Sequence, residues 1–172
     1  KGYAPETVLF DVSTEFVPNN PNCPAVPDYN KENTRCFHPQ DFDPFSGPVS
    51  IRNSLAQSVN ISAVKMLYLV GVKQALSTLS DFGITTLNDP RRYGLSLVLG
   101  GGEVHLSELL GAYGTLANDG VRHEQSMILE IRDAKGNVLE RYEDNATTVF
   151  EPQYVRMINN ILSDVSARAP LY

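Results

Sequence analysis

The stretch Gly47-Pro48-Val49-Ser50-Ile51-Arg52-Asn53-Ser54-Leu55-Ala56-Gln57-Ser58-Val59-Asn60-Ile61-Ser62-Ala63-Val64-Lys65 decides how this chain folds and where its polar chemistry lies. Ser50 is a good helix N-cap with an apolar run behind it, and Asn60 is a second one. The residues therefore predict two helices joined by a tight turn at Ser58-Val59-Asn60. A new helix start breaks the steady rotation of side chains that a continuous helix imposes, so a hydroxyl and a carboxamide two residues apart can point into one cleft. The plainer alternative is that Ser58 and Asn60 only cap helices, as these residue types routinely do.

The nineteen residues from Gly47 to Lys65 resemble the middle of the transpeptidase domain of class A penicillin-binding proteins. Ser58-Val59-Asn60 matches the second of that family's three active-site motifs, Ser-x-x-Lys, Ser-Asp-Asn and Lys-Thr-Gly. The triplet alone arises often by chance; its context is specific. Lys1-Gly2-Tyr3 with Thr7 to Asp11 resembles the segment after the family's nucleophile helix. Leu97 to Val104, Leu109 to Tyr113 and Ala117 to Gly120 resemble its next landmark. The resemblance covers most of the chain and implies an α+β penicillin-binding-protein or serine β-lactamase-like fold, mainly its helical part plus a hairpin. The Ser-x-x-Lys and Lys-Thr-Gly motifs are expected upstream of Lys1 and downstream of Tyr172. Residues 1–172 thus read as a central, incomplete transpeptidase domain, with a Pro- and Cys-rich loop at about 18–48, expected to be inactive alone for want of the nucleophile.

What the resemblance implies chemically is a peptidoglycan D,D-transpeptidase. A serine attacks the penultimate D-alanine carbonyl of a stem peptide and releases the last D-alanine. The acyl group then passes to an amine, and penicillin imitates the donor. Ser58 would be the catalytic proton relay and Asn60 the substrate-binding carboxamide. The implied partners are the D-Ala-D-Ala stem peptide and β-lactams, with no cofactor, an extracytoplasmic location and a membrane-anchored parent. Apolar surface left uncovered by the missing ends would favour self-association. Two other readings are a β-lactamase or carboxypeptidase relative, and a non-catalytic helical module that binds peptidoglycan or a partner.

Composition narrows the field. Lys and Arg number 14 against 20 Asp and Glu, a net charge of −6, which excludes the basic surface that nucleic acid or an anionic membrane would need. No apolar run is long enough to span a bilayer. Seven of the eleven prolines lie between Pro18 and Pro48, together with both cysteines, so this is a loop. Cys23 and Cys36 are a candidate disulfide, unlinked thiols being the alternative. With His38 the only nearby imidazole, the spacing matches no zinc pattern, and no metal site is expected.

Other signals compete with Ser58. Ser62-Ala63-Val64-Lys65 fits Ser-x-x-Lys at one helical turn, but a Lys that activates a Ser must be buried or crowded by charge, and the plain reading is an exposed Lys on an amphipathic helix. Gly100-Gly101-Gly102 lacks the residues of a phosphate loop and reads as a tight helix entrance. His105 to Glu108 forms an imperfect capping box with His105 at the N-cap. Ile61, Val64, Leu67 and Tyr68, then Val72 to Phe82, make core-facing stripes. Alternation on either side of Asp133 to Gly136 predicts a half-exposed hairpin, and Pro152 opens a last helix with Tyr154, Ile158, Ile161, Leu162 and Val165 on one face.

Overall fold

A computed structural model describes residues 2–17, 19–24 and 35–171. These form two compact units, the first drawn from Lys1–Ala75, Arg91–Gly101 and Asn160–Tyr172 and the second from Leu76–Pro90 and Gly102–Asn159.

The first unit is built on strand β1 (Val8–Asp11) paired antiparallel with β2 (Gly47–Ser50), in the register Leu9 to Val49 and Asp11 to Gly47. Pro48 cannot donate to a ladder, and a two-stranded sheet has only edges, so it is accommodated there. β2 runs without a break into helix α1 (Ile51–Ala56). Ser50 is at once the last strand residue and the N-cap, its Oγ accepting from the Asn53 amide at 3.2 Å. The amides of Ile51 and Arg52 donate to the Thr7 and Pro5 carbonyls, so the helix start lacks none of its partners. The loop expected to reach residue 48 therefore ends at Ser46, because Gly47 and Pro48 are already strand.

Helix α2 (Asn60–Val70) carries the centre of this unit, with Ile61 and Val64 fully buried and Leu67 nearly so. Tyr68 does not join that stripe and is 65% exposed. Gly71, at φ +90°, ends α2, and α3 (Val72–Asp81) follows at once. A 3₁₀ turn over Leu95–Leu99 packs on α2 and is closed by Gly100 in the left-handed region. The short helix α6 (Val165–Arg168) is capped by Asp164 and lies against α1.

In the second unit, Leu76, Ile84, Leu87 and Val155 are the buried apolar residues. Helix α4 (Leu106–Ala117) ends at Asn118, and Asp119 and Gly120 turn the chain with positive φ into β3 (Val121–Arg122), which pairs with β6 (Thr147–Thr148). Gly120 is obligatory: a Cβ there would stand 2.3 Å from the Phe150 carbonyl oxygen. Strands β4 (Glu130–Arg132) and β5 (Val138–Arg141) form the hairpin about Asp133 to Gly136, with β5 exposed throughout. Helix α5 (Pro152–Leu162) starts at its proline. Its buried residues are Val155 and Ile161, whereas Tyr154, Ile158 and Leu162 are between 37% and 47% exposed. The single face expected from Tyr154 to Val165 does not form, because Asp164 restarts the chain as α6 and leaves Val165 exposed.

Candidate functional site

Ser58 and Asn60 both line one cavity of about 610 Å³ in the first unit, together with Ser54, Ser62, Met66 and Val98. Its wall is largely apolar, and the hydroxyls of Ser54 and Ser62 are buried in it without a hydrogen-bond partner among the described residues. Ser58 lies between α1 and α2 at φ +57°, a left-handed conformation uncommon outside glycine and asparagine. The turn is held from both sides: the Ser58 amide donates to the Leu55 carbonyl at 3.4 Å and the Val59 amide to the Ser54 carbonyl at 2.9 Å. Ser58 is exposed and Asn60 half-buried.

Asn60 is not the N-cap that its identity suggests. It is the first residue of α2, the cap position falls on Val59, and Val59 supplies no side-chain acceptor. The acceptors come from the loop twenty residues earlier. The Asn60 Nδ2 donates to the Gln40 carbonyl at 2.8 Å, and the Ile61 amide donates to Asp41 Oδ1 at 3.1 Å. The second Asp41 oxygen is buried and faces the carboxyl of Asp11, which is 2% exposed and accepts from Ser46 N and Oγ at 2.7 and 2.9 Å. Burial, with Asp11 beside it, pushes the Asp41 carboxyl up to about 6. Burial pulls Asp11 the same way, but the hydrogen bonds from Asp41 and Ser46 and the charge of Lys65 outweigh it and hold Asp11 below the usual carboxylate range. The two carboxyls thus compete for one proton as pH falls through about 6.

Lys65 is half-buried, a correction to its expected exposure. Its Nζ donates to the Phe10 carbonyl at 2.5 Å, and burial lowers its pKa while Asp11 opposes the shift. Ser62 is 1% exposed and its hydroxyl has no described partner, so no hydrogen bond joins the Ser62–Lys65 pair. That string is core and strap, without the nucleophile–base contact that activation requires.

The loop that supplies Gln40 and Asp41 is itself tied down. Cys23 and Cys36 form a disulfide with Cα atoms 5.5 Å apart. Next to it the nearly buried Glu15 accepts from the Val17 and Phe37 amides at 2.8 and 2.9 Å and pairs with His38 Nδ1 at 2.9 Å. Residues 25–34 of the loop lie outside the described ones.

The remaining signals go elsewhere. Gly100 and Gly101 close the 3₁₀ turn, a Cβ on Gly101 meeting the Ser96 carbonyl at 2.8 Å; they form an exit from that turn, not an entrance to α4, and do not line the cavity. His105 is the N-cap of α4 but offers no capping hydrogen bond. The capping box fails because Glu108 is engaged by Thr85, through its amide at 3.1 Å and its hydroxyl at 2.5 Å.

Gln40, Asp41, Asp11 and Glu15 were invisible as site residues in the sequence. A cap delivered across twenty residues of loop leaves no spacing signature, unlike a cap adjacent to its helix.

Comparison with known proteins shows the family and the fold. Residues 19–170 match the family described as "Penicillin binding protein transpeptidase domain". Penicillin-binding protein 1A of Rickettsia bellii is 32% identical over 113 residues, covering 65% of this chain and 14% of that protein. Penicillin-binding protein 1A of Pseudomonas aeruginosa is also 32% identical, over 109 residues, covering 63% of this chain and 13% of that protein. The chain thus spans about one seventh of the length of the relatives it matches. In fold it resembles penicillin-binding protein 1A from Haemophilus influenzae, with TM-score 0.66 and 23% identity over 86% of this chain and 20% of that one. It also resembles penicillin-binding protein 3 from Mycobacterium tuberculosis solved with aztreonam, with TM-score 0.70 and 19% identity over 93% of this chain and 36% of that one. The fold is the penicillin-binding-protein transpeptidase fold in part, and the chain belongs to the penicillin-binding protein transpeptidase domain family.

Proposed function

We propose that this chain is the central part of a peptidoglycan D,D-transpeptidase, in which Ser58 and Asn60 serve an acyl transfer begun by a serine of the family's Ser-x-x-Lys motif. That serine would attack the stem-peptide carbonyl, expel the terminal D-alanine, and surrender the acyl group to an amine of a neighbouring strand. Ser58, exposed at the cavity rim, would pass a proton between the motif lysine and the leaving or attacking nitrogen, its hydroxyl being both donor and acceptor. The Asn60 carboxamide has two N–H donors and an oxygen. One N–H is committed to the Gln40 carbonyl. The second would hold the donor's peptide carbonyl, and the oxygen would orient the lysine ammonium.

The observation that carries this reading is that Ser58 and Asn60 share one cavity large enough for a peptide terminus. β-Lactams would enter as donor mimics. The protein would act outside the cytoplasm on a membrane-anchored parent, a location the disulfide supports. Self-association is left to the exposed apolar residues of α4, Leu106 and Leu110, which are 81% and 68% exposed.

In the full-length protein, Ser58→Ala and Asn60→Ala should each slow acylation by fluorescent penicillin roughly 100-fold, the usual scale for losing one positioned hydrogen-bonding group, with little change in unfolding midpoint. Acylation at the parental rate in both variants would remove these residues from the site.

A further inference from the structure

We infer that Asp41 is a positioning residue for Asn60, an inference that rests on the transpeptidase reading above. Three contacts carry it. Asp41 Oδ1 accepts from the Ile61 amide, the residue directly after Asn60. The carbonyl of Gln40, directly before Asp41, accepts from the Asn60 carboxamide at 2.8 Å. The other Asp41 oxygen abuts Asp11, which is anchored on Ser46 at the end of the same loop.

Asn60 is therefore gripped twice by one dipeptide, through its side chain and through the backbone that follows it. Neither grip belongs to α1, α2 or the turn between them. The side chain of Asn60 has several rotamers available, and a half-buried site offers little packing to choose among them. The Gln40 carbonyl makes the choice, and Asp41 fixes where that carbonyl lies against the first turn of α2. Displacement by about an ångström at such a group costs up to ~100-fold in rate.

The chemistry of the grip tells which substitutions matter. Asp41 accepts from the Ile61 amide with one oxygen while the other faces Asp11, and when Asp41 carries a proton that second oxygen can donate across to Asp11. Asparagine is isosteric with that form, its Nδ2 donating and its Oδ1 accepting. Alanine removes both contacts, and glutamate keeps the carboxyl while pushing the acceptor one methylene further.

The test uses fluorescent-penicillin acylation of the full-length protein. Asp41→Ala should slow it roughly tenfold, Asp41→Asn should remain within about twofold of the parent, and Asp41→Glu should fall between them. Combined with Asn60→Ala, Asp41→Ala should add no further slowing, because the residue through which it acts has gone. A parental rate in Asp41→Ala, a full additional tenfold loss in the double variant, or a folded Asp41→Asn as slow as the alanine variant would each overturn the inference. Should Asp41→Ala fail to fold, Asp41→Glu decides: a parental rate there overturns it. Asn60→Ala at the parental rate would instead sink the transpeptidase reading, and this inference with it.

Discussion

Arg52 and Asp164, 112 residues apart in the chain, meet with Nη1 3.1 Å from Oδ2. The guanidinium also donates to Asn160 Oδ1 at 2.8 Å, and the other Asp164 oxygen accepts from the Ala167 amide at 2.9 Å. One carboxylate thus closes the first unit by joining α1 to the N-terminus of α6. Both side chains are about a quarter exposed, so the ion pair is partly screened and the hydrogen bonds matter more than the charge.

Asp164→Ala loses a helix cap and the Arg52 contact together and should reduce unfolding free energy by about 2 kcal/mol. Asp164→Asn keeps a neutral acceptor for the Ala167 amide and should cost about half as much. Urea denaturation measures both. Equal losses would mean that the cap contributes nothing.

At the site itself, stability and activity should part company at Ser58. Its φ of +57° is a conformation for which a non-glycine residue pays on the order of 1 kcal/mol. Ser58→Gly relieves that strain while loosening the unfolded chain, so unfolding free energy should stay level or rise by up to about 1 kcal/mol. Acylation should nevertheless collapse as in the alanine variant. A clear loss of stability in Ser58→Gly would show that the side chain itself holds the α1–α2 junction.

The Asp11–Asp41 pair predicts a pH dependence with a definite sign. Asp41 titrates near 6 in the folded protein against 3.8 as its ordinary value, so it stabilises at low pH and that contribution is lost as pH rises through about 6. Asp11 is shifted downward, so its contribution is present above 3.8 and is lost only as pH falls toward its lower folded value. The charge of Lys65 lowers Asp11 further. Asp41→Asn cannot ionise. The unfolding midpoint of Asp41→Asn should therefore gain on the parent between pH 5 and pH 7.5, as read by calorimetry. A constant difference over that interval would contradict the upward shift of Asp41.

Local chemistry was readable in the sequence wherever a signal and its partner are neighbours. Ser50 caps α1, the Asp133 to Gly136 turn makes its hairpin, Asn118 to Gly120 ends α4, and Pro152 opens α5. The turn at Ser58 to Asn60 is legible for the same reason. Misreadings arose where a partner comes from afar. Asn60 reads as its own helix cap because no rule of spacing points to Asp41. Glu108 reads as part of a capping box because nothing near it announces Thr85 as the stronger claimant. Tyr68 and Val165 have the right period for a core stripe. A helix of apolar composition all round does not reveal which side is covered, and a cap at Asp164 resets the phase beyond it.

The Cys23–Cys36 bond carries a consequence for how firmly this site is held. Five residues past Cys36, Asp41 reaches the head of α2, and the intervening Phe37 and His38 are moored to Glu15 beside the sulfurs. The bond thus shortens the free loop that delivers the last fastening at Asn60. With those thiols reduced, the chain would own both helices but hold their junction more slackly.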